Sequence, residues 1–293
     1  MHERIHLVKF DRSKHPGVEF EILPLEDILH RKDLDHNQLN PHQISFYLLI
    51  LITSGNGRHT IDFKEYAYHE GTILTIRKDQ THSFHPSSAI GHVLLFTEEF
   101  VLSFMEHASA QKIKEVFNEL LFQQTTNLSP TELKEIIIII AQITDEFNRY
   151  ADIHRSSIIR NLLQVLISKI HRTRITKEVK LDQKYTRKFI EFQTLIEQHC
   201  TRSRAVQFYA DRMNLTTRTL NTITQQILNK SPKTLIDELL VLQIKRKLIN
   251  TDLSIKEIAY QSGFDEPTNL FKFFKRLTNK APQSFRDTYT IQS

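Results

Sequence analysis

The sequence predicts an α+β chain of two domains. A β-barrel or sandwich followed by helices comes first, then an all-α domain with two helix-turn-helix motifs joined by a linker helix. Three observations lead there. Five of the six glycines lie in the first 91 residues, and Gly263 stands alone in a long tract that otherwise has none. The segment Asn229-Lys230-Ser231-Pro232-Lys233-Thr234-Leu235 returns fifty residues later as Asn279-Lys280-Ala281-Pro282-Gln283-Ser284-Phe285. Charge is also uneven: from Leu181 onward there are 18 Lys and Arg against 11 Asp and Glu, whereas the earlier residues hold 21 against 23. A glycine-punctuated tract suits strands and turns, and a glycine-free one suits helices. The basic half is the one with the repeat, which is the bias that a phosphate-backbone partner requires.

At 293 residues the chain has room for two cores. Its 40% hydrophobic and 25% charged content excludes a disordered or membrane-embedded class. The longest apolar clusters, 46–52 and 136–141, are too short to span a bilayer, so no membrane partner is expected. Cys200 is the only cysteine; it rules out a disulfide within the chain and points to a reducing compartment. Residues 1–6 contain no apolar h-region, so no secretory signal is expected there.

In chain order, residues 18–100 read as β. The run 44–52 is densely β-branched and aromatic. Ser54-Gly55-Asn56-Gly57 then predicts a hairpin turn, because Asn-Gly accepts positive φ. Residues 59–63 alternate, Glu70-Gly71 turns, 72–76 alternate again, and 92–96 form a last strand. Residues 98–175 read as helices. Ser129-Pro130-Thr131-Glu132 starts one of them, with Leu133, Ile136, Ile140, Ile143 and Phe147 on one face. Five consecutive isoleucines at 136–140 leave that helix apolar on most sides, which suits either a core helix or a subunit interface. Residues 172–184, charged and threonine-containing, fit a linker. The domains are therefore expected at 1–175 and 186–293.

In the first copy of the repeat, 205–213 is a supporting helix with Val206, Tyr209, Ala210 and Met213 inward. Asn214 can enter the left-handed region that the turn demands. Thr216 caps a second helix running through Gln226, with Leu220, Ile223 and Ile227 inward. Thr217, Arg218, Asn221, Thr222 and Gln225 face outward and can donate and accept hydrogen bonds at base edges. Residues 232–250 connect the copies, with Leu235, Leu239, Leu242, Arg246 and Ile249 on one stripe. In the second copy, Ser254-Ile255-Lys256-Glu257 is a capping box, Gly263 turns and Phe264 plugs the core. Its second helix begins near Asp265, with Leu270, Phe273, Phe274 and Leu277 inward. Thr268, Asn269 and Lys272 face out, while Lys275 and Arg276 suit the phosphate backbone. The alignment pairs Ala210 with Ala259, Asn214 with Gly263 and Leu220 with Leu270, and puts one extra residue near Glu266-Pro267.

These residues resemble the AraC/XylS family of bacterial transcription regulators. The resemblance rests on Ile258-Ala259-x3-Gly263-Phe264, on Leu270-x2-Phe273-Phe274-Lys275-Arg276 and on Ala281-Pro282-x2-Phe285-Arg286. It covers roughly the last 105 residues. Asn229 and Asn279 stand where a glycine is common, and Asn also enters the left-handed region. Asn269-Leu270 replaces the usual Tyr-Phe. In the first half the likeness rests on Gly57-x-His59-x-Ile61-Asp62, on Gly71 with Leu74-x-Ile76, and on His82-x-Phe84.

The resemblance implies a cupin-like N-terminal barrel that senses a small organic effector, helices that form a homodimer, and a C-terminal domain that binds double-stranded DNA. RNA polymerase is admitted as a further partner, and the bacterial cytoplasm, in association with the nucleoid, is the expected location. The DNA-contacting set is then Thr216, Thr217, Arg218, Asn221, Thr222, Gln225, Thr268, Asn269, Lys272, Lys275 and Arg276, and the effector candidates are His59 and His82.

No catalytic residue, metal or cofactor is expected. A metal-binding cupin needs two histidines one residue apart on a strand, whereas His82 and His85 are three apart and face opposite sides. Cys200 is either a structural thiol or, beside His199, Arg202 and Arg204, a redox sensor. Two function classes thus compete: a ligand-gated transcription regulator, and a cupin-type metalloenzyme with an appended helical domain.

Overall fold

The computed structural model describes residues 7–10, 19–30, 37–102, 107–150, 152–178 and 183–289. Gly17 and residues 179–182 of the expected linker lie outside them. The chain divides into two compact units, His6–Lys180 and, in the main, Leu181–Ser293.

The first unit runs β1 (Leu7–Val8), β2 (Phe20–Pro24), α1 (Leu25–His30), β3 (His42–Ile44), β4 (Tyr47–Ser54), β5 (Asn56–Ile61), β6 (Lys64–His69) and β7 (Thr72–Ile76). It continues with β8 (Thr81–Phe84), β9 (Ile90–Phe96), α2 (Glu98–Leu102), α3 (His107–Val116), β10 (Thr125–Asn127), α4 (Pro130–Asn148) and α5 (Arg155–Glu178). The strands form two five-stranded sheets, ordered β1-β3-β8-β5-β6 and β10-β7-β4-β9-β2. Ile44, Phe46, Leu48, Ile50, Ile61, Leu74, Ile76, Phe84 and Val93 build a core between them. The other face of the second sheet, with Leu49, Leu51, Ile73, Leu94 and Phe96, packs against Ile136, Ile140, Ile143, Leu163, Leu166 and Ile170 of α4 and α5. Burial on both faces explains why 47–52 is apolar without alternation. Each such fully buried aliphatic side chain contributes about 1.5–3 kcal/mol, so sheet and helices stabilise one another.

Two expectations are corrected here. Residues 54–57 are not a hairpin: β4 pairs with β7 and β9, β5 pairs with β6 and β8, and Gly55 at φ 83° carries the chain from one sheet to the other. The hairpin lies at Asp62-Phe63, with φ of 45° and 69° and Ile61 opposite Lys64. Two positive φ values match the right-handed strand twist. The Asp62 carboxylate, accepting from Gln80 Nε2 at 2.8 Å and Thr81 N at 3.3 Å, braces that turn. The second correction concerns residues 172–178, which continue α5. Arg174 is buried there, donating from Nε to Thr126 Oγ1 at 2.7 Å, from Nη2 to Thr75 Oγ1 at 3.0 Å and from Nη1 to the Val116 carbonyl. The long side chain is satisfied by partners far away in sequence, so the charged composition does not imply a solvated segment.

The second unit is all helix: α6 (Gln183–His199), α7 (Val206–Arg212), α8 (Thr217–Leu228), α9 (Pro232–Asn250), α10 (Ile255–Gln261), α11 (Pro267–Thr278) and α12 (Pro282–Tyr289). Ser231 caps α9 and Pro232 takes its first turn, where a missing N–H costs nothing. The buried surface of α9 is wider than the expected stripe. Leu235, Ile236, Leu239, Leu240, Val241, Ile244 and Leu248 are buried, whereas Leu242, Arg246 and Ile249 are only half-buried. The reason is that α9 meets α6 and α8 as well as α10, α11 and α12. Arg286 closes its far end, donating from Nε to the Leu248 carbonyl at 2.8 Å and from Nη2 to that of Leu253 at 2.7 Å. Cys200 donates to Gln243 Oε1 at 3.3 Å, and burial pushes its thiol pKa up to about 11, so it is a structural cysteine.

Candidate nucleic-acid interface

Both copies of the repeat build the same turn from different residues. Ala210 and Ala259 are fully buried where the two helices of each copy cross. Leu215 N donates to the Ala210 carbonyl at 2.9 Å, and Phe264 N to that of Ala259 at 3.0 Å. Asn214 (φ 51°) and Gly263 (φ 78°) hold the left-handed position. The second helix of each copy, α8 or α11, is 12 residues long and ends on a left-handed asparagine, Asn229 at φ 54° or Asn279 at φ 59°. The extra residue of the second copy lies before α11, which starts at Pro267 rather than near Asp265.

The outward faces form as expected. Thr217, Arg218, Asn221, Thr222 and Gln225 are exposed on α8, and Thr268, Asn269, Lys272, Lys275 and Arg276 are exposed on α11. Thr216 is the N-cap of α8, its hydroxyl accepting from Thr219 N at 3.0 Å. Leu220, Ile223, Leu270, Phe273 and Phe274 are buried, but Leu277 is 39% exposed and does not join the core.

Arg204, Lys233 and Asp237, which the sequence did not assign to this surface, complete it. Arg204 lies over the Phe264 and Phe273 rings, 4.7 and 5.4 Å from their centroids. Lys233 pairs with Asp237 one turn along α9, and Arg276 approaches the same carboxylate at 3.6 Å. Together with Asn269 and Lys272 they line an open, cation-rich cleft beside α11. Lys233 and Asp237, at i and i+4, carried the only local signal of this arrangement.

Two family models match the chain: a helix-turn-helix domain over residues 209–288 and an AraC-like ligand binding domain over residues 26–163. The chain belongs to the AraC/XylS family. It is a DNA-binding transcription regulator with an N-terminal ligand-binding domain, and the family is not one of enzymes; the metalloenzyme reading finds no support. The HTH-type transcriptional activator RhaS of Citrobacter koseri is 21% identical over 257 residues, covering 84% of this chain and 86% of its own. RhaS of Salmonella typhimurium is 20% identical over the same shares. Among solved structures, ToxT from Vibrio cholerae O395 is 13% identical, with a TM-score of 0.45 over 94% of this chain and 99% of its own.

In the ligand-binding half, three neighbouring strands bring His42, His59 and His82 together. His42 is opposite His82, and His59 Nε2 lies 3.1 Å from His82 Nδ1. All three are buried, with Phe84 edge-on to His59 at 4.7 Å between ring centroids. Burial, then the nearby His42 and His85, lowers the His59 pKa to about 3, so its imidazole is neutral at physiological pH. His85 lies on the other side of the sheet, 2.8 Å from Thr60 Oγ1, so the expected opposition of His82 and His85 holds. No helix among the described residues is long and apolar enough to cross a membrane.

Proposed function

We propose that α8 and α11 read base edges in two successive major-groove segments of one duplex. The observation that carries this reading is the pair of 12-residue helices, each ending on a left-handed asparagine and each packed against one connecting helix. Arg218, Asn221, Thr222 and Gln225 are the base readers of the first copy, with Thr216 and Thr217 at the helix start. Thr268, Asn269 and Lys272 are those of the second. Lys275 and Arg276 meet phosphates. A footprint of the full chain on bound DNA should show two protected patches per subunit, one helical turn apart. A single short patch would contradict two-copy reading.

The N-terminal unit holds a small organic effector, and the neutral His59 together with the buried His82 offers it polar contacts. An effector can alter DNA binding only through different affinities for the DNA-competent and incompetent states, typically worth about 1–3 kcal/mol. The regulator works as a homodimer in the bacterial cytoplasm, with RNA polymerase as a further partner. The dimer is supported by α4 and α5. Of the isoleucine run, Ile136, Ile139 and Ile140 are buried, whereas Ile137 is 36% and Ile138 60% exposed. On α5, Ile158 and Val165 are also exposed. Ile138→Glu should therefore give folded monomers by sedimentation or light scattering. An unchanged dimer would move the interface elsewhere.

A further inference from the structure

The caps of the two copies set α8 and α11 in register, Asn229 matching Asn279, so that Arg218 corresponds to Thr268, Thr222 to Lys272 and Asn221 to Phe271. Phe271 is 40% exposed, while Leu270, Phe273 and Phe274 take the core positions of α11. Thr268, Phe271, Lys272 and Lys275 recur at i, i+3, i+4 and i+7, so the ring stands on the outward side among a hydroxyl and two cations. A polar reader in one copy is thus matched by a phenyl ring in the other. The major groove presents one apolar feature, the thymine 5-methyl group. We infer that Phe271 reads thymine by packing its ring against that methyl, whereas Asn221 at the matching position is suited to the adenine edge. The inference rests on the base-reading function proposed above.

The test uses the full chain and a duplex enriched by it from a random-sequence pool. Each thymine of that duplex is replaced in turn by uracil, which lacks only the methyl. For wild type, one or two replacements should weaken binding about fourfold, the effect of one buried methyl-sized group. Phe271→Ala should bind the thymine duplex with a similar loss and show no further loss on those uracil duplexes. Phe271→Leu, still apolar, should keep part of the discrimination. Because the ring is exposed, thermal unfolding of both variants should match wild type. The inference is overturned if Phe271→Ala discriminates thymine from uracil as wild type does, or if wild type responds to no replacement. If wild type enriches no sequence at all, the base-reading function itself falls, and thymine reading falls with it.

Discussion

The first reading head turns on an asparagine and the second on a glycine, and the surroundings of each turn explain the difference. Both residues occupy the left-handed region, which Asn tolerates and Gly enters freely. Asn214 is exposed, so its side chain has room. Gly263 sits against the backbone of Thr201, and any Cβ there would overlap the Thr201 carbonyl oxygen. The duplicated fold is therefore the same at the level of φ, and differs in what presses on the turn from outside.

The largest expected effect breaks that symmetry directly. Gly263→Ala should destabilise the C-terminal unit by about 3 kcal/mol or more, through positive φ together with overlap. Gly263→Asn separates the two causes. Asparagine accepts the φ but not the overlap, so it should fail nearly as badly. Asn214→Gly should change stability by no more than about 0.5 kcal/mol. Urea unfolding of the four proteins checks this, and a near-wild-type Gly263→Asn would mean that Thr201 does not press on the turn.

The second expected effect concerns what each head does with DNA. Arg218→Ala should cost about 1–3 kcal/mol on the selected sequence and relax preference at one or two positions. Lys275→Ala, in the last turn of α11, should weaken binding on all sequences alike and lower the salt slope by about one unit. Equal losses for Arg218→Ala on selected and random DNA would remove it from the base readers. Arg276 should give a smaller change in salt slope than Lys275, because Asp237 already stands 3.6 Å from its guanidinium.

What was legible follows the range of the signal. The caps Thr216, Ser254, Asn229 and Asn279, and the turn residues Asn214 and Gly263, act within a few residues, and the structure places each as expected. The isoleucine run of α4 was legible in the same way, with Ile136, Ile140 and Ile143 inward. Features set by distant partners were not. Gly55 looked like a hairpin turn because the sequence does not say that β4 and β5 belong to different sheets. Phe63 carries no turn signal; its positive φ is imposed by the pairing of β5 with β6 and by the bracing of Asp62 from β8 and its approach. Arg174 looked solvated because Thr75, Val116 and Thr126, which surround it, are far away in sequence. At the reading surface, helical periodicity found the exposed stripes of α8 and α11 but not the Arg204 guanidinium over Phe264.

The smallest effect sharpens the comparison through the caps. Each head has one helix with a side-chain cap, and the choice is opposite. In the first head Thr216 caps the recognition helix, while the supporting helix starts after Ala205 with no side-chain bond. In the second, Ser254 and Glu257 cap the supporting helix reciprocally, while α11 starts after Glu266 without one and relies on Pro267. Thr216→Ala and Ser254→Ala should each cost about 1 kcal/mol of stability. Only Thr216→Ala should also weaken DNA binding beyond that loss, because it loosens the turn that carries Arg218. Acid separates the two further. Hydrogen bonds from the Ser254 side chain and backbone hold the Glu257 carboxyl below its ordinary pKa. Its contribution is thus complete above the ordinary carboxylate range and is lost as pH falls through the lowered value. The stability gap between wild type and Ser254→Ala should narrow on acidification, while that for Thr216→Ala, which involves no carboxylate, should not. Parallel pH profiles for the two variants would mean that the capping box acts through its serine alone.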